Sequence, residues 1–268
     1  MRLPTTNGQN LRLILAASLL SFTSCGFGTN RTLEETFEQF YAIEPTADIS
    51  IKNRDGVVRI YGSRANEMRV QATKRAYTQR RLKQIVVDVS VRTAAGSIET
   101  HFPPNPTWGL FDRSGTVEYT IVVPETANIW RLESGSGEVL VEGMRGQNLH
   151  AQLERGRMLA RNCFSNSVFS LGRGTFTLAY EWWEPGKFSI QANVATGNAL
   201  AFLPGAAAFH LIAETPHGKI MNDFSAEDRT DGGVIRKIDT AIGPASAPAV
   251  DISVRAAQGN IRVSKTYP

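Results

Sequence analysis

The chain has 268 residues, a formal net charge of +4 and 42% hydrophobic residues. That length suits one large domain or two small ones, and that charge is too near balance to mark a nucleic-acid binder. Two cysteines exclude a disulfide framework, while 23 glycines and 12 prolines suit a turn-rich β protein.

Residues 1–24 read as a signal peptide of the lipoprotein type. Arg2 and Arg12 give a basic start, and Leu13–Phe22 is an apolar run too short to span a bilayer. Small residues then lead to Cys25, the expected lipidation site and a membrane anchor once acylated. An ordinary signal peptide cut a few residues later is the alternative. The expected location is the bacterial cell envelope, on the outer membrane in a two-membrane cell. Residues 25–34 read as a linker, and 35–268 as one domain. Thr32 with Glu35 forms a capping-box pattern, and Leu33, Phe37, Phe40 and Tyr41 fall near helical spacing. A short helical or extended cap over the N-terminal end is expected there.

The body repeats one unit: three alternating apolar residues, a small polar corner ending in glycine, then two more alternating apolar residues. The clearest copy is Val250, Ile252, Val254, Gly259, Ile261 and Val263. Gly56, Gly96, Gly197 and Gly218 head similar units. Gly137 fits less well, with Trp130 and Leu132 before it, and Gly115, Gly156 and Gly174 keep the second half. From Gly96 to Gly218 the corner glycines recur every 18–23 residues, with about double that gap at either end. A period near twenty predicts an all-β, single-stranded parallel β-helix or solenoid. A β-sandwich or up-and-down barrel is the competing reading.

Three stretches interrupt the repeat. Met68–Gln84 is basic without an acid, and its Arg80, Arg81 and Lys83 are candidates for anionic lipid or acidic glycan, or else form a solvated insertion. Pro103, Pro104 and Pro106 predict a loop that folds back through Trp108 and Phe111. In EWWEPG, adjacent Trp182 and Trp183 must point opposite ways if extended, which offers one ring for stacking on a sugar or for capping a bulge.

By order and content the chain resembles the bacterial "putative adhesin" domain family. The matching pieces are DISIKNRDGVVRIYG, YTIVVPE with WRLESGSGEVLVEGMRG, NALAFLP with FHLIAETPHGKIMNDF, and AIGPASAPAVDISVRAAQGNIRVS, and the resemblance covers about residues 35–265. The resemblance implies a β-solenoid displayed at the envelope, without catalytic residues or a defined ligand. The chain departs from it at EWWEPG and TPHG.

The residues themselves call for no cofactor or metal. His101, His150, His210 and His217 lack zinc-site spacing, and Asp223, Glu227, Asp228 and Asp231 lack a calcium-loop rhythm. Nucleophile elbows and phosphate loops are missing. Cys163 reads as a small packed residue near a turn. The expected function is non-enzymatic presentation of loops to a glycan or envelope protein, with the membrane as partner through Cys25 and no nucleic acid. The alternatives are a carbohydrate-active β-helix enzyme, or an envelope scaffold or stress-sensing partner of a membrane protein.

Overall fold

The computed structural model describes residues 32–104, 114–224, 234–244 and 250–267. Cys25, Trp108, Phe111, Glu227, Asp228 and Asp231 lie outside the described residues. From Thr32 onward the chain forms one compact unit, and it is all-β but for one helical turn and a half.

Period-two alternation of apolar residues produces strands almost throughout. In chain order they are β1 (Leu33–Ala42), β2 (Asp48–Ser63), β3 (Glu67–Ala76), the helix α1 (Gln79–Gln84), β4 (Val86–Arg92), β5 (Ala95–His101) and β6 (Thr116–Pro124). Four long strands follow: β7 (Asn128–Glu142), β8 (Asn148–Arg161), β9 (Asn166–Ala179) and β10 (Ser189–Pro204). The last are β11 (Phe209–Glu214), β12 (Ile220–Asn222), β13 (Lys237–Ile242), β14 (Asp251–Gln258) and β15 (Ile261–Thr266).

β7, β8, β9 and β10 pair parallel, in register apart from a shift near the start of β7 between Ile129 and Leu132. Residues 143–147 alone join β7 to β8, and 162–165 alone join β8 to β9. Straight parallel neighbours need a connection of roughly a dozen residues or more. Each long strand must therefore return on itself. Phe169 and Phe176 of β9 show this directly, because their ring centroids are 5.2 Å apart. Seven residues of straight strand would separate them by roughly 23 Å. The fold-back lies at Gly174, where φ is +140°.

On either side of that bend the alternation slips by one residue, so both halves face inward. In β8 the inward residues are Leu149, Ala151 and Leu153, then Met158 and Ala160, none more than 4% exposed. Successive bends stack. A Cβ on Gly137, Gly156, Gly174 or Gly197 would lie 1.8 Å from the carbonyl oxygen of the glycine one layer away, and Gly56 begins this column. Gly259 continues it on Gly197, and Gly218 closes it on Gly259. Side-chain amides tie the layers beside these bends: Asn198 Oδ1 accepts from Asn260 N, and Asn260 Oδ1 from Lys219 N.

Gly96 and Gly115 stand outside this column. Gly96 lies within β5, opposite Val91 in an antiparallel hairpin with β4, so the apolar run Val87–Val91 belongs to a hairpin arm. Gly115 precedes β6 and faces Ile85 and Phe102.

The sheet is mixed, which corrects the expectation of a coil parallel from end to end. β1–β3–β6, β4–β5 and β11–β13 pair antiparallel. The layers also depart from chain order. β2 is held between β7 on one side and β5 with β6 on the other. At the far end β14 and β15 lie between β10 and the pair β11 and β12. The last strands of the chain thus form an inner layer.

Between a helical and an extended cap, the N-terminal segment is extended. β1 runs antiparallel to β3 from Leu33↔Ala76 to Ala42↔Glu67. Ten residues of ladder satisfy more backbone groups than a short helix would, and acids of β1 meet bases of β3. Glu34 pairs with Arg75, Glu35 with Lys74 and Glu38 with Arg69.

Candidate functional site

The outward face of the first strand halves carries a group of depressions and an exposed tryptophan. It begins with a β-bulge. Between Ile129 and Leu132, β7 has one residue more than β2 facing it, and the register shifts there. Ile129 takes the inward place, so Trp130, expected among the inward residues of its unit, turns outward and is 58% exposed. Bulges re-aim side chains in this way. The Trp130 ring stands edge-on to His150 of β8, centroids 6.0 Å apart. His150 Nδ1 lies 3.2 Å from the Trp130 carbonyl oxygen.

Three depressions lie on this face. One of about 380 Å³ lies beside Trp130, with Ser50, Ser90, Arg92 and Ser97. Another of about 230 Å³ is lined by Arg131, His150 and Ser170. The third, about 450 Å³, runs past Lys52, Arg54, Glu99, Phe102 and Glu154. The last two share Glu133 and Gln152 and form one trough along β7 and β8. Gly135 lies in its floor, where a Cβ would come within 2.5 Å of the Arg54 carbonyl oxygen. Two ion pairs lie on this face: Lys52 meets Glu99 at 3.2 Å, and Arg131 meets Glu133 at 2.5 Å. The Arg54 guanidinium lies 4.2 Å above the Phe102 ring.

The residues singled out from sequence are distributed elsewhere. Arg81 is buried in α1; its Nε donates to the Ser114 carbonyl at 2.9 Å and its Nη1 to that of Pro104 at 3.3 Å. Arg80 and Lys83 are exposed on the same helix. Three of the six bases in the run, Arg69, Lys74 and Arg75, are matched by acids from other strands, with Arg75 held by both Glu34 and Glu118. Trp182 and Trp183 lie in the β9–β10 connection, whereas α1 lies against β1 and β3. Trp182 is 45% exposed, and its Nε1 donates to Glu184 Oε1 at 2.7 Å. Trp183 is half-buried against Tyr180, Phe188 and Phe209. Arg145 grips Glu184 bidentately and holds its carboxyl down to about 2. This connection is therefore strapped to the body.

Burial pushes the Cys163 thiol up to about 12, and its Sγ lies 3.4 Å from the Arg161 carbonyl oxygen. It is a packed, protonated thiol. Among the described residues no cluster of His, Cys, Asp and Glu could hold a metal ion. His217 bridges to Gln258 and His101 lies 4.0 Å from Glu99.

His210 joins three strands. Its Nε2 is 2.8 Å from Asp239 on β13 and its Nδ1 is 3.2 Å from Asp251 on β14. The bonds to Asp239, then Asp251, raise its pKa above the ordinary histidine value. A raised folded-state pKa stabilises fully below the unfolded value, near ~6.5, and the gain is lost as pH rises through the folded value. Wild type is therefore expected to lose melting temperature relative to His210→Gln as pH climbs above 6.5. The side chain is 38% exposed, so the change stays within about 1 kcal/mol. Parallel melting curves for the two proteins at all pH values would refute the role given to His210.

No protein-family model and no curated protein matches the chain. Some solved structures overlap it loosely. A "putative cell adhesion protein" from Clostridium sporogenes covers 87% of this chain and 100% of its own, at 15% identity and a TM-score of 0.48. A "putative lipid binding protein" from Parabacteroides distasonis covers 85% and 97%, at 13% identity and a TM-score of 0.34. A "putative adhesin" from Bacteroides fragilis covers 86% and 97%, at 11% identity and a TM-score of 0.29. Likeness this loose transfers neither ligand nor role.

Proposed function

We propose that this chain is a lipid-anchored protein of the bacterial cell envelope that acts by presentation rather than turnover. In this reading it is an adhesin-like β-solenoid whose windings are the folded-back layers β2, β7, β8, β9 and β10. The outward face of β2, β7 and β8 is its contact surface, and a glycan is its ligand. The observation that carries the reading is Trp130, an indole turned outward by a bulge beside a trough of charged and polar planar groups. An exposed aromatic face packs by dispersion on the C–H face of a sugar ring. Flanking carboxylates, amides and imidazoles supply both donors and acceptors for hydroxyls.

The anchor rests on the apolar run Leu13–Phe22 followed by Cys25. No helix among the described residues is long and apolar enough to cross a membrane. Feeding cells a palmitate analogue is expected to label wild type and not Cys25→Ala, and equal labelling of both would remove the anchor from the proposal.

An array of neutral and acidic glycans, probed with the chain from Gly26 onward, tests the contact surface. Binding is expected, and Trp130→Ala should weaken it at least about tenfold, the loss of one good contact of ~1.4 kcal/mol. Its melting temperature should stay near that of wild type, since the ring is mostly in solvent. Absence of binding to any glycan overturns the contact-surface reading.

A further inference from the structure

We infer, on the reading that this face binds glycan, that its ligand is a neutral linear oligosaccharide lying along β7, longer than one sugar and without acidic groups. Three observations point this way. The first is reach. Arg131 and Gly135 line the two ends of the trough, with Trp130 next to Arg131 and edge-on to His150 of the trough wall, and four residues of strand separate those ends by roughly 13 Å. That distance exceeds the length of a single pyranose ring. The trough between them is continuous, because Glu133 and Gln152 line both of its parts.

The second is charge. Lys52 is matched by Glu99, Arg131 by Glu133, and Arg54 lies on Phe102. An acidic polymer would have to break these pairs to use the cations, and it would meet Glu133 and Glu154 along the trough. Like-charge encounters of this kind select against acidic ligands. The third is chemistry. Arg131, Glu133, His150, Gln152 and Glu154 alternate donors and acceptors along the two strands, which suits a row of hydroxyls. Gly135 adds no side chain at the far end, and a Cβ there would meet the Arg54 carbonyl oxygen at 2.5 Å.

Calorimetric titration of the chain from Gly26 onward tests this. The probes are neutral glucose and mannose oligomers of one to six residues, with galacturonate oligomers as acidic comparators. Affinity is expected to rise at least about tenfold, or ~1.4 kcal/mol, from the single sugar to three or four residues, then level off. Raising the salt should change it little. Trp130→Ala should weaken every length. Glu154→Ala should weaken only the oligomers long enough to reach the Gly135 end. Affinity independent of length, or preference for galacturonate, overturns the inference while leaving a glycan-binding face in place. Failure of all oligomers on a protein that binds an arrayed glycan overturns the inference alone, and failure on both removes the glycan reading as well.

Discussion

Gly156→Ala is expected to cost roughly 3–6 kcal/mol, a large fraction of the ~5–15 kcal/mol that holds a domain folded. Two separate causes combine. The backbone at Gly156 has φ +137°, a region L side chains rarely adopt. A Cβ there would also lie 1.8 Å from Gly137 O and 2.8 Å from Gly137 C, and both are backbone atoms that cannot turn aside. Relief would require prising apart β7 and β8, whose ladder is continuous on both sides of the bend. Gly205→Ala is the control. Its Cβ would meet Tyr267 at 3.8 Å, an ordinary contact, so a change within about 0.5 kcal/mol is expected. Chemical denaturation of the two variants measures the difference. Equal stability of Gly156→Ala and wild type would mean the layers do not stack through their bends.

Ending the chain before Val250 is expected to be as damaging as a change deep in the core. In a protein whose layers followed chain order, the last strands would form an end cap, and their loss would expose one face only. Here β14 and β15 are inner, paired to β10 on one side and to β11 and β12 on the other. Ile252, Val254, Ala256, Ile261 and Val263 are all at most 3% exposed. Burying five such residues is worth on the order of 10 kcal/mol, comparable with the whole stability of a domain. Without them β11, β12 and β13 have no layer to rest on. Hydrogen exchange on the shortened chain should show Phe209–Glu214 unprotected, whether or not β7–β9 stay folded. Persistent protection of those amides would contradict the inner placement of the C-terminal strands.

The strands and the bends were readable because they depend on local parity: apolar residues alternate, slip by one at glycine and alternate again. Which layer neighbours which was not readable, because each layer carries the same parity and nothing in Ile252 or Val254 says whether Ile190 or Leu211 comes next to it. The hairpin of β4 and β5 imitates the repeat for the same reason. Val87, Val89, Val91 and Gly96 hold the template's spacing, yet Thr93 and Ala94 turn the chain early.

The basic run from Met68 looked unmatched because its acids are distant in sequence. Glu34, Glu35, Glu38 and Glu118 meet Arg69, Lys74 and Arg75 only across β1 and β6. The trough shows the opposite case. Trp182 and Trp183 drew attention as neighbours, and packing and Glu184 occupy them. Trp130 was concealed inside a unit that fitted its template poorly. That misfit, one residue too many between Ile129 and Leu132, is the mark a bulge leaves in a sequence, and it was the signal available for this site.

Location of the bound ligand is the most direct test of the account. Titrating a neutral oligosaccharide into nitrogen-15-labelled protein reports each tryptophan indole N–H separately. The indole of Trp130 and the backbone amides of Gly135 and Gln152 are expected to shift together and saturate together, while those of Trp182 and of Arg80 stay in place. Shifts confined to the Trp182–Glu184 connection or to α1, with Trp130 unmoved, would contradict it.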